Sequence, residues 1–363
     1  MSSPRSRDLF EYLNTARGRY TGRIGRMGCA ILSVTGERTS MTDQDPVLDK
    51  FKGTLLGCAV GDALGAPVEG LPPEVIRQRY GTITDFIDER FSPGMVTDDT
   101  QMTVTLAQAI IEMGRFIKGH AAFKFGRWIE DSDKGVKEAR GVGMASATAC
   151  RRLYQGVSPE ESGVDSAGCG AAMRVSPLGL RYYRDLETLK RTSVEQARIT
   201  HTDPEAAAGA AAIAFAVARG ITGENELDRS SFIQQTADFV SPINEKMADR
   251  IRGLSEYLGA GPEDGFAYTG NGGYVMETVP GALLAFLLSP YDFEKTVVAA
   301  VNAGGDADSL GAMAGAVSGA FNGASRIPDR WKAGVEGREY IEILATRLYT
   351  LTPAGKPGDR PFI

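Results

Sequence analysis

Histidine is nearly missing from this sequence: His120 and His201 are the two in 363 residues. That leaves little material for imidazole-based acid–base chemistry and hands proton transfer to carboxylates. Cys29, Cys58, Cys150 and Cys169 lie far apart with no CxxC pair, which indicates neither a zinc knuckle nor a disulfide framework and fits a reduced, cytoplasmic setting. No apolar run approaches the roughly 20 residues that span a bilayer, so no membrane association is expected. The stretch 27–34, behind an Arg-rich start, is too short for a signal peptide and lacks a small-residue exit. A net charge of −6 gives no footprint for a nucleic-acid partner. Strand-length runs of β-branched residues are absent as well, which argues against an α/β sheet.

What is present reads as helix. From Leu48 onward, apolar residues recur at three and four spacing between short Gly, Pro or Asp breaks. The expected helices are 48–65, 73–80, 100–118, 120–131, 143–156, 168–183, 186–199, 204–220, 228–240, 243–259, 274–288, 292–303, 308–322 and 327–351. Small residues crowd the runs 206–212 and 311–320, a composition that suits close helix packing in a core. The expected organisation is one compact all-α domain over 48–351, a basic N-terminal arm over 1–47 and a C-terminal tail over 352–363.

Two acidic clusters dominate the polar sequence, Thr97-Asp98-Asp99-Thr100 and Asp306-Ala307-Asp308-Ser309. Each precedes a helical run, so each can be a helix cap at the positive end of the dipole. Brought together they present four carboxylates, more than capping uses, and uncompensated buried carboxylates are costly. A cation is expected between them. Asp, Thr and Ser are hard oxygen ligands that suit Mg²⁺, Mn²⁺ or Ca²⁺.

Three other stretches carry signals. Gly57, Gly61 and Gly65 form a flat face at four-residue spacing, and Asp62 and Glu69 beside it read as site carboxylates or their supports. Ser166-Ala167-Gly168-Cys169-Gly170-Ala171-Ala172-Met173-Arg174-Val175-Ser176-Pro177-Leu178-Gly179 is a Gly-rich loop running into a helix, either an ordinary cap or a phosphate cradle. Thr200-His201-Thr202-Asp203-Pro204 opens the Ala-rich helix, with His201 read as a structural hydrogen-bonding residue. The paired glycines before Asp306 allow unusual backbone angles. A DxD element such as Asp306-Ala307-Asp308 also occurs in nucleotide-sugar transferases, whose sheet this pattern does not supply.

Taken in order, these elements resemble the ADP-ribosylglycohydrolase family over about residues 50–350, including its dinitrogenase reductase-activating branch. The resemblance implies a compact orthogonal bundle of many helices around a dinuclear Mg²⁺ (or Mn²⁺) centre. By motif, Thr97, Asp98 and Asp99 would bind one metal, Asp308 would bridge, and Asp306 and Ser309 would complete the second. Glu69 would lie near the scissile bond, with Glu69 or Asp99 moving the proton. Gly143, Gly168, Gly170 and Tyr274 would contact the ADP-ribose. The implied activity is hydrolysis of ADP-ribose from a modified protein side chain, arginine foremost, the modified protein being the partner. Two departures stand out: Cys169 replaces a usual Asn, and 140–143 lacks an aspartate found in the nitrogenase-associated members.

Residues 1–40 lie outside the resemblance and hold seven Arg against Asp8, Glu11 and Glu37, a balance of +4 that leaves −10 on the rest. They read either as a basic tail, with Met41 an alternative start, or as a partner-binding arm. In the second case the chain resembles immunity-type members, and the arm would engage an ADP-ribosyltransferase toxin. The alternative function is then a binding protein that blocks the toxin with little or no hydrolysis; a dimetal phosphohydrolase is a third reading.

Overall fold

A computed structural model describes residues 45–223 and 226–351; most of the expected arm and all of the tail fall outside them. Among the described residues there are helices and two isolated bridge pairs but no strands, as the apolar spacing requires. The helices are α1 (Pro46–Gly65), α2 (Pro73–Tyr80), α3 (Asp98–Met113), α4 (Lys118–Asp133), α5 (Met144–Tyr154), α6 (Ser176–Tyr182), α7 (Leu186–Ala197) and α8 (Pro204–Thr222). They continue as α9 (Arg229–Val240), α10 (Glu245–Arg252), α11 (Pro262–Thr269), α12 (Val275–Leu288), α13 (Phe293–Asn302), α14 (Ala307–Asn322), α15 (Asp329–Gly334) and α16 (Arg338–Leu351).

The bundle is organised on the seam between α1 and α14. Their glycines interlock antiparallel: a Cβ on Gly57 would stand 2.2 Å from the Gly315 carbonyl oxygen, one on Gly61 1.9 Å from that of Gly311, and one on Gly53 2.4 Å from that of Gly319. With no Cβ in the way, the two backbones touch. The seam also has a direction, because it carries the C-terminal end of α1, with Asp62 and, one 3₁₀ turn beyond it, Glu69, to the N-terminal end of α14, with Asp306 and Asp308.

Helix α8 is the buried centre of the other half and packs against α6, α7, α9, α12 and α14. Among the described residues it alone is long and apolar enough to cross a membrane, against the expectation that no such run exists. Its most apolar window is 83% buried inside the bundle, as a core helix should be.

Several expected boundaries change. The run 243–259 breaks after Arg252 into a 3₁₀ turn, Gly253–Tyr257. The Tyr268 hydroxyl oxygen would lie 2.0 Å from a Cβ on Gly253, so tertiary packing shapes that corner. Helix α11 was not expected at all. The run 327–351 is two helices separated at Gly337, whose φ is 73°, and 168–183 is a 3₁₀ turn followed by the shorter α6.

Candidate active site

The first acidic cluster is held by a residue from another helix. Asp62, fully buried in α1, accepts from the Thr97 and Thr100 backbone N–H groups at 3.0 and 3.1 Å and from their hydroxyls at 2.8 and 2.5 Å. It therefore does the work of a cap for α3, while Thr97 at the cap position makes no side-chain capping bond. Asp98 and Asp99 are thereby released from capping. The Asp98 N–H is taken by the Arg140 carbonyl at 2.8 Å, and Arg140 itself pairs with Glu336 at 2.6 Å.

The second cluster opens α14, and Asp306 at its cap position makes no side-chain capping bond either. Gly304 and Gly305 both have positive φ, 73° and 65°, and a Cβ on Gly305 would stand 2.1 Å from the Asn271 carbonyl oxygen. That turn docks on its neighbours: the Asp306 N–H donates to the Asn271 carbonyl at 2.7 Å, and Gly70 N–H to that of Gly305 at 2.7 Å. The Gly-rich loop closes another wall, with Cys169 N–H donating to the Gly273 carbonyl at 3.0 Å and Val275 N–H to that of Ala167 at 2.9 Å.

These walls enclose one cleft of about 580 Å³. Glu69, Asp98, Asp99, Asp306, Asp308 and Ser309 line it, as do Gly143, Gly168 and Gly170. Two expected residues stand aside. Thr97 lies behind the wall with its hydroxyl on Asp62. Tyr274 is at the start of α12, 45% exposed, with its hydroxyl on Glu205 at 2.6 Å.

The electrostatics follow from burial. Asp98, Asp99 and Asp308 are pushed well above the usual carboxylate range, first by desolvation and then by their neighbouring carboxylates. Asp62 rises to about 6, because burial outweighs its four donors. Neither Lys nor Arg lines the cleft, and the buried Asp99 Oδ1 has no partner. Among the described residues no three Asp, Glu, His or Cys side chains are drawn into a ready metal shell. The donor set nevertheless fits hard divalent cations: all oxygen, largely dry and short of positive charge. At the mouth, Glu69 is paired with Arg90 at 2.6 Å.

The structure also brings to the cleft His201, read from the sequence as structural, and Ser146, which the sequence did not single out; Ser166 and Met173 of the Gly-rich loop line it with them. Burial, followed by the Arg174 charge, lowers the His201 pKa to about 3, so the imidazole is neutral. Cys169 donates to Asp306 Oδ2 at 3.0 Å, and burial and that carboxylate hold it as a thiol. This speaks against a thiolate nucleophile.

The fold and this oxygen-lined cleft meet a known pattern. The model of the ADP-ribosylglycohydrolase family matches residues 43–357, and the chain belongs to that family. The ADP-ribosylarginine hydrolase Tri1 of Serratia proteamaculans is 30% identical over 84% of this chain and 80% of its own length. The ADP-ribosylhydrolase ARH3 of Bos taurus is 26% identical over 83% of this chain and 93% of its own. A solved structure described as an ADP-ribosylglycohydrolase-related protein complex superposes with a TM-score of 0.68 at 30% identity, covering 85% of this chain and 99% of that one.

Proposed function

We propose that this protein hydrolyses the bond between C1″ of ADP-ribose and a modified protein side chain, arginine foremost, with two divalent cations, Mg²⁺ or Mn²⁺. The observation that carries this reading is the set of four carboxylates, Asp98, Asp99, Asp306 and Asp308, on one buried cleft with no Lys or Arg among its lining residues. Those four would hold the cations with Ser309 and, from behind the wall, Thr97. Cations there supply positive charge that offsets the carboxylates and acidifies water.

The chain's own groups have separable tasks. Asp99 offers a carboxylate oxygen with no protein partner, and Glu69 sits on the same cleft with one oxygen held by Arg90. These are the two candidates for the proton that leaves water as C1″ gains oxygen and for the proton delivered to the departing nitrogen. Positive charge that builds on the sugar finds carboxylates on several sides. The preference for arginine is supported by the name of the Serratia relative.

The test is incubation with arginine- and serine-ADP-ribosylated peptides, with Mg²⁺ or with chelator. ADP-ribose should leave the arginine peptide only with metal, and Asp98→Ala or Asp308→Ala should abolish release. Release of phosphate without ADP-ribose would instead indicate a phosphohydrolase. No ADP-ribose release from either peptide, with blockade of an ADP-ribosyltransferase toxin unaffected by those substitutions, would indicate a binding protein.

A further inference from the structure

Two motif residues have no part in that reaction, Arg174 of the Gly-rich loop and His201 before α8, yet one hydroxyl joins them. Arg174 is fully buried. Its Nη2 donates to Thr200 Oγ1 at 2.7 Å and to the Gln196 carbonyl at 3.2 Å, its Nε to Gln196 Oε1 at 3.0 Å, and its guanidinium lies 4.6 Å from the Phe125 ring centroid. Thr200 is also fully buried, and its Oγ1 is 2.8 Å from His201 Nδ1.

Proton counting fixes the direction of this chain. A guanidinium can only donate, so Thr200 Oγ1 accepts from Arg174. A hydroxyl has one proton to give, and among the described residues Nδ1 is the acceptor within its reach. If Nδ1 carried the ring proton instead, the threonine proton would be left unpaired in a dry interior, a costly arrangement. Nδ1 therefore accepts, and the ring proton is on Nε2.

Nε2 faces the cleft. A Cβ on Gly170 would lie 2.8 Å from His201 Cε1 and 3.2 Å from Nε2, and one on Gly168 would lie 3.5 Å from Nε2. Those two glycines and His201 line the cavity together, and among the described residues no protein group hydrogen-bonds Nε2. We propose that Arg174, acting through Thr200, holds His201 as its Nε2–H tautomer, giving the cleft a fixed neutral donor for a phosphate or ribose oxygen of its ligand. Arg174 and Thr200 are positioning residues, and His201 alone touches the ligand. The tautomer stands on the hydrogen-bond chain, whereas its use in binding rests on the ADP-ribose reading.

The chain's two histidines make the test direct. In ¹⁵N-histidine-labelled full-length protein, long-range ¹H–¹⁵N spectra should show His201 as the Nε2–H form, unchanged between about pH 5 and 8. Thr200→Val should lose this single-tautomer pattern and weaken ADP-ribose binding in Mg²⁺ by about fivefold to tenfold, and Thr200→Ser should restore both. An Nδ1–H pattern in the wild type, or a Thr200→Val spectrum identical to it, overturns the relay. An altered spectrum with unaltered ADP-ribose affinity overturns the ligand contact. If the wild type does not bind ADP-ribose at all, the ADP-ribose reading fails while the spectra still decide the tautomer.

Discussion

At the residue scale the cleft is a concentration of carboxylates that the bare protein tolerates poorly. Asp62 has a folded-state pKa of about 6 against an ordinary 3.8, and Asp98, Asp99 and Asp308 are shifted in the same direction. A raised carboxylate pKa means that the folded state keeps a proton the unfolded chain has released. The associated stability is present below pH 3.8 and is lost as pH rises through about 6 and beyond. In chelator, the unfolding temperature should therefore fall between about pH 4 and 7. Saturating Mg²⁺ should flatten that slope and add about 2.7 kcal/mol at a hundredfold excess over Kd. Equal slopes with and without metal would refute the assignment. Asp98→Asn separates stability from function at this site: it should stabilise the metal-free protein by on the order of 1 kcal/mol while abolishing hydrolysis, measured by thermal melts and ADP-ribose release.

At the scale of elements, the α1–α14 seam positions the site and is correspondingly intolerant. Gly61→Ala would drive a methyl group to 1.9 Å from the Gly311 carbonyl oxygen, so the helices must part beside Asp62. The expected cost is about 3 kcal/mol, with reduced metal affinity. Gly119→Ala, in α4 with nothing within 4 Å of its Cβ, should be neutral or stabilising by up to about 1 kcal/mol. Similar denaturant midpoints for the two variants would contradict the seam argument. The four-residue spacing of Gly57, Gly61 and Gly65 was legible as a packing face, and the same spacing recurs at Gly311, Gly315 and Gly319. Spacing names a face, however, and not its partner, so their pairing emerged only in three dimensions. The clusters were legible as paired carboxylates for the same compositional reason. That Asp62 caps α3 from outside was hidden, because the bond spans 35 positions. Helix α11 was missed since Pro262, Asp264 and Gly265 spell a loop, and packing of Gly265 against Leu284 overrides that local preference.

At the scale of the whole molecule, the ends of the described body are tied to each other. Asp45 caps α1 through the Val47 and Leu48 N–H groups at 2.8 and 3.3 Å. Its other oxygen accepts from the Tyr349 hydroxyl in α16, and the Tyr349 ring packs edge-on against Phe51. The family match begins at residue 43, two residues before this cap. A chain started at Met41 therefore keeps every contact described above, including all the cleft residues. It should melt within about 0.5 °C of the full-length protein, a shift corresponding to only a few tenths of a kcal/mol, and should release ADP-ribose at the same rate. Asp45→Ala in the same background should cost about 1–2 kcal/mol through the lost cap, which confirms that the melt reports this junction. Loss of hydrolysis on truncation would place residues 1–40 in the catalytic machinery. Retained hydrolysis with lost protection against an ADP-ribosyltransferase toxin would assign the arm to partner binding and leave the chemistry to the helical body.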